Sequence, residues 1–177
     1  MNVAIRCDAS YEIGTGHVMR CLTLANQLRG MGGEVTFISR EHAGNINDVI
    51  EKHGFSVHRL PFIDTASGKD FESEYARWLA VSPEKDIHDT VAWLREQKSS
   101  IDLLVVDHYA LDAEWEIAAR PFVSRIMVID DLADRRHDCD LLLDQNRLAS
   151  SDNCYNGLVP AHCRNLIGPG YALLRPE

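Results

Sequence analysis

Short apolar runs alternate with amphipathic stretches along this chain of 177 residues, and this alternation constrains its fold more than any other feature. The runs have the length and aliphatic content of buried strands, and the stretches between them have helical spacing. This pattern is typical of a parallel sheet with helices on its faces, so the sequence predicts an α/β domain. The predicted strands are 3–7, 35–39, 56–60, 103–106, 126–129 and 141–143, and the predicted helices are 18–28, 46–53, 83–97 and 112–119.

A glycine-containing turn joins the first predicted strand to the first predicted helix. Gly14, Thr15 and Gly16 precede His17, and the helical spacing starts at the next residue. Glycines let the backbone approach a ligand, and the N–H groups of a first helical turn favour an anion. Glycines at this spacing also occur where a helix packs tightly on a strand, so the spacing leaves both interpretations open. Met19 stands where the dinucleotide motif needs its third glycine, so no cofactor is predicted.

His17 falls in the first turn of the predicted helix. The positive end of the helix dipole favours a neutral imidazole there, and a neutral imidazole can accept a proton. His17 is therefore the candidate proton acceptor.

Polar residues follow several of the predicted strands. In a parallel sheet the ligand binds at the carboxyl ends of the strands, where these residues converge. Some of them simply cap a helix or hold a loop, and we favour that interpretation for the two aspartates 130 and 131. The polar residues at this edge are Asp8, Arg40, Glu41, Asp107, His108, Tyr109, Asp130 and Asp131.

The composition excludes several classes of partner. A net charge of −9 argues against nucleic acid, and the basic segment 135–137 is predicted to be a solvated loop. The apolar runs are far shorter than the ~20 residues that span a bilayer, so no membrane segment is expected. The N-terminus is strand-like and has no signal-peptide pattern, which predicts a cytoplasmic location.

Five cysteines without a C-x-x-C pair do not suggest a disulfide framework. Cys139, Cys154, His162 and Cys163 can be drawn as a zinc site, but their spacing matches no structural zinc pattern, and no metal is predicted.

The irregular segment 61–82 has two interpretations. It is either a substrate-facing lid or a surface loop with one short helix, and we favour the second. Trp78 in this segment is expected to fill the core.

Segments along the whole chain resemble one enzyme family, the UDP-2,4-diacetamido-2,4,6-trideoxy-β-L-altropyranose hydrolases of pseudaminic acid biosynthesis. These segments are RCDAS at 6–10, IGTGHVMRC at 13–21, WLAVS at 78–82, DHY at 107–109, DDLAD at 130–134, CDLLLDQN at 139–146 and GPGYALLRPE at 168–177.

The resemblance implies the N-terminal half of a two-domain GT-B fold. Residues 1–167 would be a Rossmann-like domain, and 168–177 a linker toward a C-terminal nucleotide-binding domain that this chain does not include. That domain, or a separate subunit, would be the partner and would hold most of the uridine and diphosphate contacts.

The resemblance also implies a reaction. Water would attack the anomeric carbon of a UDP-sugar with inversion and without a metal, releasing UDP and the free sugar. His17 would be the catalytic residue, oriented by a partner such as Asp8, with the amides near Gly14 and Gly16 approaching the ligand.

Other residues follow from the same resemblance. The turn Asp107-His108-Tyr109 would face the sugar, with the phenol donating to a substrate oxygen. Arg20 would face the diphosphate or pair with a nearby acid. Two alternatives remain: the chain is the acceptor-binding domain of a GT-B glycosyltransferase, or it is a non-catalytic binding module that needs a second subunit.

Overall fold

The structure is a computed structural model that describes residues 1–62, 75–146 and 154–174. Strands and helices alternate from residue 2 to residue 129, as the sequence predicts. The elements are β1 Asn2–Cys7, α1 Gly16–Gly30, β2 Glu34–Arg40, α2 Asn47–Lys52, β3 Ser56–Leu60, α3 Pro83–Glu96, β4 Leu103–Asp107, α4 Ala113–Ala119, β5 Ile126–Ile129, β6 Leu141–Asp144 and β7 Arg164–Ile167.

The strands of the described residues form one sheet in the order β3-β2-β1-β4-β5-β6-β7, and every pairing is parallel. The chain builds outward from β1 to β3 and then returns to add β4 on the other side of β1. The strand order therefore reverses between β1 and β4. In open α/β sheets this reversal leaves a crevice outside the carboxyl ends of the two strands, where ligands bind.

Alternate residues of the central strands face opposite layers of the core. Val3 and Ile5 of β1 and Val105 of β4 belong to the apolar cluster that includes the buried face of α1. Ala4 and Val106 belong to the cluster on the other face, beneath α3 and α4. Side chains two residues apart on a strand share a face. This alternation decides which polar residues meet at the carboxyl edge.

Local signals fix the ends of several helices. The Ser82 hydroxyl accepts a hydrogen bond from the Lys85 N–H (3.2 Å), and Pro83 occupies the first position of α3. The Asp112 side chain accepts from the N–H groups of Glu114 and Trp115 at the start of α4. Gly32 (φ 84°) follows α1 in the left-handed conformation that favours glycine.

The predicted strands and helices are confirmed to within a few residues. The sequence reading missed β7, which has four residues, two of them exposed, and so lacks a clear alternation. A 3₁₀ turn at Ala76–Leu79 agrees with a short helix in segment 61–82, although residues 63–74 of that segment lie outside the described residues. The described part of the predicted linker contains a 3₁₀ turn at Pro169–Tyr171.

Candidate active site at the carboxyl ends of β1 and β4

The turn between β1 and α1 opens the site. Gly14 has a φ of 76°, which favours glycine, and its N–H donates to the carbonyl of Ser10 (2.9 Å). A Cβ built on Gly14 or Gly16 would meet nothing within 4 Å, so tight packing does not explain these glycines. Thr15 precedes α1 without a side-chain capping bond. Within the described residues, the N–H groups of Gly16, His17 and Val18 have no hydrogen-bond acceptor, which suits an anionic ligand.

His17 and Asp107 form a hydrogen-bonded dyad across the reversal point. His17 Nδ1 lies 2.6 Å from Asp107 Oδ1. His17 is 7% exposed, and Asp107, the last residue of β4, is fully buried. Because a carboxylate accepts only, Nδ1 carries the proton and Nε2 is left as the proton acceptor. The arrangement orients an imidazole and stabilises the positive charge that it gains on accepting a proton.

The prediction that Asp8 orients His17 is wrong, because the two residues lie on opposite faces of the sheet. Asp8 points with Arg6 toward α3, and the two nitrogens Nη1 and Nη2 of Arg6 lie 2.6 and 2.8 Å from its carboxylate oxygens. Asp107 shares the face of Val105, which α1 covers, and therefore reaches His17.

Arg20 and Asp131 extend the dyad. Arg20 donates to both oxygens of Asp107 (2.6 and 2.7 Å) and, through Nη1, to Asp131 Oδ2 (2.5 Å). The guanidinium therefore pairs with two acids, one of the two possibilities raised by the sequence. Burial raises the pKa of Asp107, but the attraction of His17 and the hydrogen bonds from Arg20 outweigh it and hold the pKa well below its usual value.

Tyr109 joins this cluster through its hydroxyl and its ring. The hydroxyl donates to Asp131 Oδ2 (2.8 Å), and the ring meets His17 edge-on with centroids 4.7 Å apart. Burial, with the charge of Asp131, raises the pKa of Tyr109, so the phenol keeps its proton at neutral pH. Tyr109 thus limits how the imidazole can tilt.

Tyr75 and Trp78 join Tyr109 to form an aromatic wall beside His17, which the sequence did not predict. Trp78 stacks on Tyr109 (5.8 Å, 27°), and Tyr75 meets both rings edge-on. Trp78 is half-buried, and its ring centroid lies 6.2 Å from that of His17. It therefore borders the site, and the expectation that it fills the core is wrong. The spacing of two aromatics three residues apart in an irregular segment was the available signal.

A cleft of about 290 Å³ opens beside this wall. Trp78 belongs to both the wall and the cleft, which places the cleft next to the dyad. Its lining mixes aromatic with charged side chains, a composition that suits a polar ligand with apolar faces. Its lining residues are Ser10, Tyr11, Glu12, His42, Ala43, Phe62, Arg77, Trp78 and Ala80.

Asp8 and His108, two other predicted site residues, lie behind this surface. Asp8 is fully buried and also accepts from the Arg40 N–H (2.7 Å), while His108 Nε2 lies 3.4 Å from Asp8 Oδ2. Burial raises the pKa of Asp8, but Arg6 and two histidines hold it well below its usual range. Burial lowers the pKa of His108, although Asp8 opposes that effect. These two residues support the site from within the protein.

Of the four residues that can be drawn as a zinc site, Cys139 and Cys163 lie together, with their sulfurs 3.6 Å apart. Within the described part of the chain, no group of three or more metal-ligating side chains is present. The prediction that the segment 135–137 is a solvated loop is wrong. His137 is buried, with its Nδ1 2.8 Å from Glu116 Oε1, and Arg135 Nη1 lies 2.8 Å from Asp130 Oδ1. The helices in the described residues are too short or too polar to span a bilayer.

Comparison with known proteins supports the resemblance. The chain is 29% identical over 178 residues to a curated UDP-2,4-diacetamido-2,4,6-trideoxy-beta-L-altropyranose hydrolase of Campylobacter jejuni, covering all of this chain and 53% of that protein. The chain thus spans about half the length of this relative and corresponds to an N-terminal-like portion of it. A 58-residue stretch, 32% of this chain and 12% of the relative, is 43% identical to an uncharacterized protein of Methanocaldococcus jannaschii. No protein-family model matches the chain.

Solved structures confirm the predicted fold class. The chain superposes on MurG of Acinetobacter baumannii with a TM-score of 0.52 at 9% identity, covering 82% of this chain and 41% of that one. It superposes on LpCGTa, solved in complex with UDP, with a TM-score of 0.50 at 15% identity, covering 73% and 30%. Both structures have the GT-B fold, so the fold of this chain is that of a Rossmann-like part of a GT-B protein.

Proposed function

We propose that this chain supplies the water-activating half of the active site of a hydrolase that releases UDP from a UDP-linked diacetamido-trideoxy-hexose. The observation that carries the proposal is the His17–Asp107 dyad at the reversal point of the sheet, beside an open cleft. The 29% identity to the Campylobacter jejuni hydrolase supports the proposed substrate class.

In the proposed reaction, His17 Nε2 accepts a proton from water as the water oxygen attacks the anomeric carbon. The bond between that carbon and the diphosphate oxygen breaks, and UDP leaves from the opposite face, so the configuration inverts. Asp107 fixes the Nδ1–H tautomer and stabilises the imidazolium that forms. As the resemblance implies, the reaction would need no metal ion.

The other groups at this edge would position the dyad and the substrate. Arg20 holds Asp107 in place, and Asp131 ties Arg20 to the Tyr109 hydroxyl. The aromatic wall offers flat faces for the sugar and its acetamido methyl groups. The free N–H groups at the start of α1, beside Gly14, Thr15 and Gly16, would approach the diphosphate.

We propose that a second domain or a separate subunit completes the site. The chain matches only 53% of the relative's length, and the chain of known structure with bound UDP is covered to 30%. The uridine and most of the diphosphate would then be bound by residues outside this chain.

The test measures UDP release from the diacetamido-trideoxy-altrose nucleotide sugar, first with the chain alone and then together with the second domain. We expect release only with both, and His17→Asn should lower turnover about 100-fold or more, since general base catalysis contributes at least that much. The control is His88→Asn, the same change at a histidine whose side chain is 77% exposed on α3. It should leave turnover unchanged.

Other outcomes would change the assignment. A His17→Asn turnover within about threefold of the parent would remove His17 from the catalytic role. Transfer of the sugar to an alcohol instead of water would favour the acceptor domain of a glycosyltransferase. UDP release with neither preparation would favour a binding module.

A further inference from the structure

Two thiols lie side by side at the far edge of the sheet. Cys139 Sγ is 3.6 Å from Cys163 Sγ, although the two residues are 24 positions apart. Cys139 precedes β6 and Cys163 directly precedes β7, so the parallel pairing of these strands brings the thiols together. Within the described residues, no third metal ligand joins them.

We propose that Cys139 and Cys163 form an oxidisable dithiol that a peroxide converts to a disulfide joining the starts of β6 and β7. This site lies apart from the dyad and does not depend on the proposed hydrolase activity.

The two thiols differ in exposure, which sets the order of the chemistry. Cys163 is half-buried and reaches solvent, whereas Cys139 is fully buried in the core. The hydrogen bond from Cys139 lowers the pKa of Cys163, and the same contact together with burial raises the pKa of Cys139. Cys163 is therefore the attacking thiolate and Cys139 the resolving thiol.

The oxidation proceeds in two balanced steps. The Cys163 thiolate attacks one oxygen of hydrogen peroxide, the O–O bond breaks, and a sulfenic acid and hydroxide form. Cys139 sulfur then attacks the Cys163 sulfur, the S–S bond forms, the S–O bond breaks, and the thiol proton leaves with hydroxide as water. Overall, two thiols and one peroxide give one disulfide and two waters.

The geometry allows the sulfurs to close the gap. A disulfide needs them about 1.5 Å nearer than they lie here. Cys163 is in the turn that enters β7, and among the described residues β7 is an edge strand with a neighbour on one side only. Cys139 is held between anchored residues, because the Asp138 N–H donates to Glu116 and the Asp140 N–H to the Ile126 carbonyl. The Cys163 N–H donates to the Pro160 carbonyl within its own turn (2.9 Å), so the movement is a shift of that turn and falls on Cys163.

The other cysteines of the chain provide internal controls. Cys7 and Cys21 also interact with each other, but both are completely buried, so a peroxide does not reach them. Cys154 is half-buried like Cys163 but has no thiol partner among the described residues. Exposure and a neighbouring thiol coincide at the Cys139–Cys163 pair.

The experiment treats the reduced chain with one equivalent of hydrogen peroxide, alkylates the remaining thiols, digests with trypsin without reductant and maps the peptides by mass spectrometry. Cleavage after Arg136, Arg147 and Arg164 places Cys139 in peptide 137–147 and both Cys154 and Cys163 in peptide 148–164. The mapping is therefore run on Cys154→Ser as well as on the parent chain. We expect the two peptides linked in both proteins, with a mass lower by two hydrogens and restored by a reductant.

The matched variant Cys163→Ser should lose the link and leave Cys139 alkylated. Cys139→Ser is not used, because it would place a hydroxyl in the core. The proposal is tested with the parent chain and with Cys154→Ser and Cys163→Ser, in which the substituted residue is half-buried. A link that disappears in Cys154→Ser would overturn the proposal, as would Cys163 oxidised to sulfenic or sulfinic acid without a link. Oxidation of Cys7 and Cys21 in preference to this pair would also contradict it.

Discussion

The carboxyl edge of the sheet holds two ionic clusters that differ in their access to solvent. The sealed cluster consists of Arg6, Asp8, Arg40 and Asp86, whose side chains are all 0% exposed. The dyad cluster consists of His17, Arg20, Asp107 and Asp131, and three of its four side chains are 8–12% exposed. The sealed cluster lies at the ends of β1 and β2, and the dyad cluster lies at the ends of β4 and β5, on the opposite face of the sheet.

The difference lies in what each cluster can contact. In the sealed cluster, Arg6 bridges two carboxylates, and Asp86 also accepts from Arg40 (2.8 Å) and from the Trp115 indole N–H (3.1 Å). These bonds join β1, β2, α3 and α4. In the dyad cluster, the imidazole keeps one nitrogen for another partner and borders the aromatic wall. The two clusters have similar numbers of charged groups. Those of the sealed cluster hold the fold together, and those of the dyad cluster serve the proposed chemistry.

The largest effect should follow from removing one charge of the sealed cluster. Asp86→Asn keeps the shape but leaves Arg6 and Arg40 undercompensated in the interior, and breaking such a buried pair costs about 3–5 kcal/mol. Urea unfolding measures the loss. The matched change Asp131→Asn in the dyad cluster should cost about half as much or less, because water reaches that pair. Equal losses in the two variants would erase the distinction between the clusters.

Removing the orienting carboxylate should produce the next largest effect, this time on turnover. Asp107→Asn loses the charge that stabilises an imidazolium and leaves the imidazole tautomer unfixed, so we expect turnover to fall about 100-fold or more in the protein with its second domain. Asp86→Asn, assayed at a temperature where it is folded, is the control and should stay within about threefold of the parent. A similar drop in both variants would mean that the assay reports stability and not the dyad.

The alternation of residues along β1 and β4 explains what the sequence could predict and where the prediction failed. The strand pattern was strong enough to give the parallel sheet, the carboxyl-edge rule gave Asp107 and Tyr109, and the first turn of the first helix gave His17. Asp8, another residue of that edge, was expected to orient His17. Asp8 follows Arg6 by two positions, so both face α3, whereas Asp107 shares the parity of Val105 and faces α1. The alternation of side chains that places Asp8 and Asp107 on opposite faces of the sheet could have been read from the sequence.

Other features depended on contacts between distant segments. Trp78 and Tyr75 reach the site because their rings lie against Tyr109, which follows β4, and the spacing of the two aromatics does not indicate this contact between distant segments. His137 was assigned to solvent from its two basic neighbours, yet it pairs with Glu116 of α4 in the interior. The strand β7 is short and half-exposed and, in the part of the chain that the structure describes, pairs only with β6, so it has little apolar pattern of its own.

The pH dependence of stability should draw on both clusters, and the variant Asp86→Asn should isolate a share that belongs to the sealed cluster. The native pKa values of Asp8 and Asp86 in the sealed cluster and of Asp107 in the dyad cluster are all lowered, so each contributes stability that is present above the unfolded pKa of about 3.9 and is lost as pH falls below it. The free energy of unfolding should fall by about 1.4 kcal/mol per pH unit for each such carboxylate.

Urea midpoints between about pH 5 and pH 2 test this dependence, since the unfolded chain takes up protons there that the native protein excludes. Asp86→Asn should lower the slope by about one carboxylate's share. An unchanged slope in that variant would show that the acid sensitivity comes from carboxylates outside the sealed cluster.

The smallest expected effect concerns the hydroxyl of Tyr109. Tyr109→Phe keeps the ring against His17 and Trp78 but removes the hydrogen bond to Asp131, a loss of about 1 kcal/mol, or roughly fivefold in KM. Tyr109→Leu removes the ring as well and should raise KM about tenfold or more. The reason is that the contact between aromatic rings contributes beyond the apolar area that the ring buries. Steady-state UDP release with the second domain measures both. If the two variants lose the same amount, the hydroxyl and its link to Arg20 carry the whole contribution, and the aromatic wall has no part in binding the sugar.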